Sequence, residues 1–152
     1  MLAKGVFVNM AALRLSATAA PIAPGETGDV TLTITNTGNA EAIFDVDVSC
    51  GDAHAFPLSA FDGAGKRADY VSLASCLKGM SCPHAVARVF LAPKGVAKKR
   101  LRYTAVVIRN DAECSEGPAG PLRRGVYRLH VGTPWEDDAK NDLAASTTLT
   151  VK

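Results

Sequence analysis

The sequence predicts an all-β, antiparallel sandwich on three observations. Apolar and polar residues alternate with a period of two in most patterned stretches, turn-forming Gly, Pro, Asn and Asp punctuate those stretches, and no long run repeats at helical spacing. Strands divided by turn-rich loops, with no alternating helices, bury their inward rows against a second sheet. A closed barrel is the alternative arrangement.

The clearest strand is VTLTITNTGN at 30–39, where Val30, Leu32 and Ile34 alternate with three threonines. One row faces a core and the hydroxyl row faces water. Asn36, Thr37, Gly38 and Asn39 then read as a tight turn, with Asn and Gly able to take positive φ. AALRLSAT at 11–18 reads as the strand before it, and EAIFDVDVSC at 41–50 as its antiparallel partner after the turn.

The 51–85 region mixes Gly, Pro, Ser and Cys with short apolar pieces, and reads as two short edge strands with long loops. Alternation returns at VARVFLAP (86–93) and RLRYTAVVIRN (100–110), where Leu101, Tyr103, Ala105 and Val107 share a face. DAECSEGPAGPLRRG (111–125) is loop by composition. GVYRLHVG (125–132) places Tyr127, Leu129 and Val131 inward, with Arg128 and His130 outward, and STTLTVK (146–152) closes the chain.

At 152 residues, with 47% hydrophobic and 21% charged residues, the chain fits one folded domain, 1–152, with enough core to dispense with a metal. No apolar run reaches the roughly 18 residues of a membrane-crossing helix, so no membrane span is expected. The opening MLAKGVFVNMAALRLSATAA lacks a continuous hydrophobic centre long enough for a secretory leader, so compartment is argued from cysteine.

The cysteines are Cys50, Cys76, Cys82 and Cys114, an even number that fits two disulfides and an extracellular or periplasmic location. Of the three connectivities, Cys76 with Cys82 and Cys50 with Cys114 is preferred; free buried thiols and a thiolate metal site are the alternatives. CLKGMSCPH also gathers Cys76, Met80, Cys82 and His84, soft ligands that suit Cu(I) where they converge. A disulfide-closed loop with incidental Met80 and His84 is the preferred reading, and His54 and His130 read as surface or capping histidines.

Net charge is +2, unevenly spread: residues 1–60 hold two Lys/Arg against six Asp/Glu, and residues 94–128 hold nine against three. A basic segment can attract phosphates, anionic lipid or acidic partners. Arg100, Arg102, Arg109 and Arg128 fall in strand-like alternation, so a solvated sheet face is the preferred account. No nucleic-acid motif is present, and no nucleic-acid partner is expected.

PGETGDVTLTITNTGN near the start and GPLRRGVYRLHVG near the end together resemble bacterial immunoglobulin-like modules, such as cell-adhesion-related domains of surface proteins and the Bacillus-type intracellular proteinase inhibitors. Pro24, Gly25 and Glu26 match a turn leading into a strand, Asn36, Thr37 and Gly38 the turn that ends it, and Pro121, Gly125 and Tyr127 the opening of a late strand. The resemblance implies an immunoglobulin-like sandwich of about seven to nine strands with long loops. The cysteines and the 51–85 region depart from that pattern.

For chemistry, no nucleophile-elbow signature is present, and Glu136, Asp137 and Asp138 read as a solvated turn. No enzyme activity, cofactor or metal is expected. GTPWEDDAKND (132–142) is the best recognition candidate, since a lone loop Trp has the amphipathic surface of interface anchors; Pro134, Trp135 and Glu136 are the candidate partner-binding residues. Pro134 and Trp135 are similar to the Pro-Trp loop of chagasin-type cysteine protease inhibitors, although Trp135 buried against the core is the preferred outcome. The expectation is a noncatalytic binding or structural module of a bacterial envelope or secreted protein, engaging a protein through loops or a sheet edge, with self-association through an edge also open. The alternatives are a protease inhibitor acting through loops at one end, and a copper-binding module.

Overall fold

Alternation of apolar residues with threonine over 30–35 gives the architecture its longest strand. The computed structural model describes residues 12–48, 55–72, 85–111, 115–132 and 145–152. Strands β1 (Leu13–Ala19), β2 (Thr27–Asn36) and β7 (Val96–Thr104) form one antiparallel sheet in the order β1-β2-β7. Strands β4 (Leu58–Phe61), β10 (Gly125–Val131) and β11 (Ala145–Val151) form a second, in the order β11-β10-β4, and β3 (Ala42–Asp47) pairs with β6 (Val86–Leu91). Strand β5 (Tyr70–Ser72) runs parallel to β8 (Val106–Asn110), which pairs antiparallel with β9 (Glu116–Pro121).

The inward rows meet in one core. Val30, Leu32, Ile34, Leu101 and Tyr103 come from the first sheet; Phe44, Val46 and Leu91 from the β3-β6 pair; Ala60, Leu129, Val131 and Leu149 from the second sheet. Burying such rows is the main stabilising term, about 1.5–3 kcal/mol for each large apolar side chain. The chain is an all-β, immunoglobulin-like sandwich. The sheets β1-β2-β7 and β11-β10-β4 follow the A-B-E and G-F-C orders of that fold.

Two details mark the same topology. Tyr127, near the start of β10, donates its hydroxyl back to the Arg123 carbonyl at 2.6 Å, the arrangement of a tyrosine corner. After β1 the chain crosses to the second sheet, where Ile22 bridges Val151 in parallel. At the turn from Ile22 into β2, Gly25 holds φ of 80°, a conformation that costs other L-residues about 1–2 kcal/mol.

The two short edge strands expected in the 51–85 region are β4 and β5, each at the edge of its sheet. Four expectations are corrected. The 30–36 and 41–48 strands do not pair; β2 lies between β1 and β7, and β3 pairs with β6. Asn36 is the reason. Its buried side-chain amide donates to the carbonyls of Ala40 (2.8 Å), Leu91 (3.1 Å) and Ala92 (3.2 Å), and its Oδ1 accepts from Gly38 N, so the chain arches across the core instead of folding back as a hairpin. Accordingly neither Asn36, Gly38 nor Asn39 has positive φ.

Among the described residues there are eleven strands, not seven to nine. The run read as one strand over 100–110 divides at Ala105, whose carbonyl accepts from both Gly25 N (2.9 Å) and Leu122 N (2.8 Å) while its N–H donates to Glu26 O. Its hydrogen bonds thus serve two neighbours, and β8 leaves for another sheet. Part of the stretch assigned to loop is strand β9, because Val106–Asn110 supplies a ladder that tolerates Gly and Pro at a sheet edge.

Candidate functional site

Strand β7 ends its sheet. Backbone polarity along it follows from its two ends: Ala105 N donates to Glu26 O at 2.9 Å, and Asn36 N donates to Gly95 O at 2.9 Å. In an antiparallel ladder a residue points both its N–H and its C=O to one side, alternately. Odd-numbered residues of β7 therefore bond to β2. Lys98, Arg100 and Arg102 turn their N–H and C=O to the open side, where no described residue pairs with them.

The same three side chains stand exposed on the outer face of the sheet. They lie beside a rack of hydroxyls: Thr33 is registered opposite Lys98, Thr31 opposite Arg100 and Asp29 opposite Arg102, with Ser16 and Thr18 beyond them on β1. With Arg14, this face carries four cations against the single acid Asp29.

Below the edge, on the core side, lies a cleft of about 430 Å³ whose described walls are Phe56, Leu58 and residues 99–103. Phe56, Leu101 and Tyr103 are buried and Leu58 is half-buried, so the wall nearest the core is apolar. A smaller crevice of about 190 Å³ opens beside Phe56 between Ile34 and Ala97 on one side and Phe44 and Val46 on the other.

A buried carboxylate fixes the two sides of the large cleft. Asp69, 6% exposed, accepts from Tyr103 Oη (2.8 Å) on β7, from Ala60 N (3.0 Å) on β4, and from Arg67 Nε (2.9 Å). A turn organised by Asp62, which accepts from Ala64 N and Lys66 N, brings Asp69 back along β4. Burial, then the charge and hydrogen bond of Asp69, push the Tyr103 phenol far above its ordinary value. The phenol stays protonated and donates, which is what the carboxylate requires.

Cys50, Cys76, Cys82 and Cys114 lie outside the described residues, as do Pro134, Trp135 and Glu136, and Met80, His84 and His54. His130 is half-buried on β10, edge-on to Phe61 at 6.5 Å between ring centroids. Among the described residues no group of three His, Cys, Asp or Glu could hold a metal ion, and no helix is long and apolar enough to cross a membrane.

The exposed face expected for Arg100 and Arg102 is present. Its position at an open edge was not anticipated, although the density of cations in KKRLR is the available signal, since natural edge strands carry such charges. Asp69 was missed because an Asp among Gly, Lys and Arg reads as solvated.

No family model matches the chain, and no curated protein does. Among solved structures, a β-glucosidase from Listeria innocua in complex with gluconolactone is 14% identical, with a TM-score of 0.43 over 97% of this chain and 16% of its own. A β-glucosidase from Erythrobacter marinus is 14% identical, with a TM-score of 0.46 over 92% of this chain and 15% of its own. The CARDB domain of a Pyrococcus furiosus protein, in complex with di-metal ions, is 13% identical, with a TM-score of 0.42 over 97% of this chain and 90% of its own. The chain thus spans about a sixth of the length of the β-glucosidases.

Proposed function

We propose that this domain is a noncatalytic binding module of a bacterial envelope or secreted protein, engaging a protein partner through its loops or an open sheet edge. The observation that supports it most is the β7 edge, where backbone donors and acceptors find no partner among the described residues and lie beside an apolar cleft. Exposed edges are a liability that proteins blunt or use, and strand addition is a general route to protein recognition. The four cysteines support an oxidising compartment.

Site-specific photo-crosslinking tests the reading. A photoreactive residue is placed at Arg100 on the edge, at Trp135 in the 132–142 loop, and at Arg14 on the face of β1, and exposed to bacterial envelope and culture-fluid proteins. A discrete adduct from Arg100 or Trp135, absent from Arg14, is the expected result. No discrete adduct from either position would contradict it.

A further inference from the structure

We infer that the open edge of β7 takes an extended segment of a partner protein as an added strand, with acidic residues alternating with apolar ones. The inference rests on the binding-module reading and supplies the partner's chemistry.

Three features of the edge converge. The backbone groups without a partner among the described residues belong to Lys98, Arg100 and Arg102, spaced about 6.6–6.8 Å apart along the strand, the spacing at which an added strand repeats. Their side chains all stand on the outer face, so an incoming strand, whichever way it runs, sets every second side chain beside a cation there. Its other side chains turn to the core side, over the cleft walled by Phe56, Leu58, Leu101 and Tyr103. Acid outside and apolar inside is therefore the complementary pattern, over about seven to nine residues given the nine of β7.

A second copy of this chain fits poorly. Antiparallel pairing of β7 with itself about Arg100 would set Arg100 opposite Arg100 and Lys98 opposite Arg102, and like charges directly opposite destabilise a ladder. In immunoglobulin-type sheets of order A-B-E-D a fourth strand follows the third. No described residue fills that place beyond β7, and the added segment would occupy it.

The test tethers the probe. A nonapeptide alternating Glu with Val is joined to Lys152 by a flexible Gly/Ser linker of roughly 20 residues, which holds it near millimolar effective concentration. The control carries the same composition with its acids contiguous. Amide hydrogen exchange is read residue by residue. The alternating peptide is expected to slow the amides of Lys98, Arg100 and Arg102 roughly tenfold relative to the control, with Lys99 and Leu101 unchanged. Equal exchange with both peptides overturns the inference. So does protection that persists with the alternating acidic peptide when Arg100→Glu and Arg102→Glu are combined, since the preference should then pass to a Lys/Val peptide. Photo-crosslinks from Trp135 alone, with no protection of the edge, would leave the module reading standing and sink this one.

Discussion

Tyr103 and Asp69 join the two layers of the sandwich: the phenol of an inward β7 residue donates at 2.8 Å to a carboxylate that also accepts the Ala60 N–H of β4. The contact sits beside the large cleft and holds its sides together. Tyr103→Phe should destabilise the domain by about 1–3 kcal/mol, the cost of leaving a buried polar group short of a partner. Urea unfolding measures it, and a change under 0.5 kcal/mol, within the range of ordinary surface substitutions, would mean the contact contributes little.

The same pair sets an alkaline limit. Because the phenol is pushed above its ordinary value of 10.0 in the folded state, the native protein holds a proton that the unfolded chain releases first. Its stabilising contribution is complete below pH 10 and falls as pH rises beyond it. The unfolding free energy should therefore decline above pH 10 more steeply in the parent than in Tyr103→Phe, measured as a series of urea midpoints.

Asn36 carries the crossing from β2 to β3. Asn36→Asp removes the amide that serves Leu91, Ala40 and Ala92 and sets a carboxylate against their carbonyls. A loss of at least about 1–3 kcal/mol is expected by chemical denaturation, because buried acceptors lose their donor.

At the turn into β2, Gly25 tests backbone conformation apart from packing. A Cβ there would meet nothing closer than 3.8 Å, so Gly25→Ala isolates the cost of φ at 80°. The expected loss is about 1–2 kcal/mol, with Gly25→Asn losing less because Asn visits this region more readily. Equal stability of all three would show that the turn relaxes.

The cysteines supply a prediction independent of the sandwich. Alkylation under denaturing conditions without reductant should label none of the four, and intact mass should show all four labelled only after reduction. Four reactive thiols before reduction would remove the main support for an exported protein and make metal titration the next experiment.

What could be read from the sequence follows from where local pattern and tertiary position coincide. Val30, Leu32 and Ile34 against their threonines reveal a half-buried strand because the period of two is a property of the strand itself. Tyr127 was legible for the same reason, its ring half-buried and its hydroxyl bonded to Arg123 O. Pairing was not legible. Whether the chain arches or turns back after Asn36 depends on acceptors at Leu91 and Ala92, more than fifty residues away. Nor could the pattern in 100–110 show that Ala105 would divide its hydrogen bonds between two neighbours. Asp69 becomes a buried hub through Tyr103, 34 residues on, and β9 is a strand despite two glycines and two prolines because β8 offers it a ladder.

Binding at β7 depends on its edge being unpaired, and residue-resolved hydrogen exchange of the domain alone reads that edge. Alternation is expected, with the amides of Lys99, Leu101 and Tyr103 protected by β2 and those of Lys98, Arg100 and Arg102 exchanging faster by orders of magnitude. Equal, strong protection along the whole of β7 would mean that the edge is already closed, and would contradict both the proposed function at this edge and the acidic strand inferred to fill it.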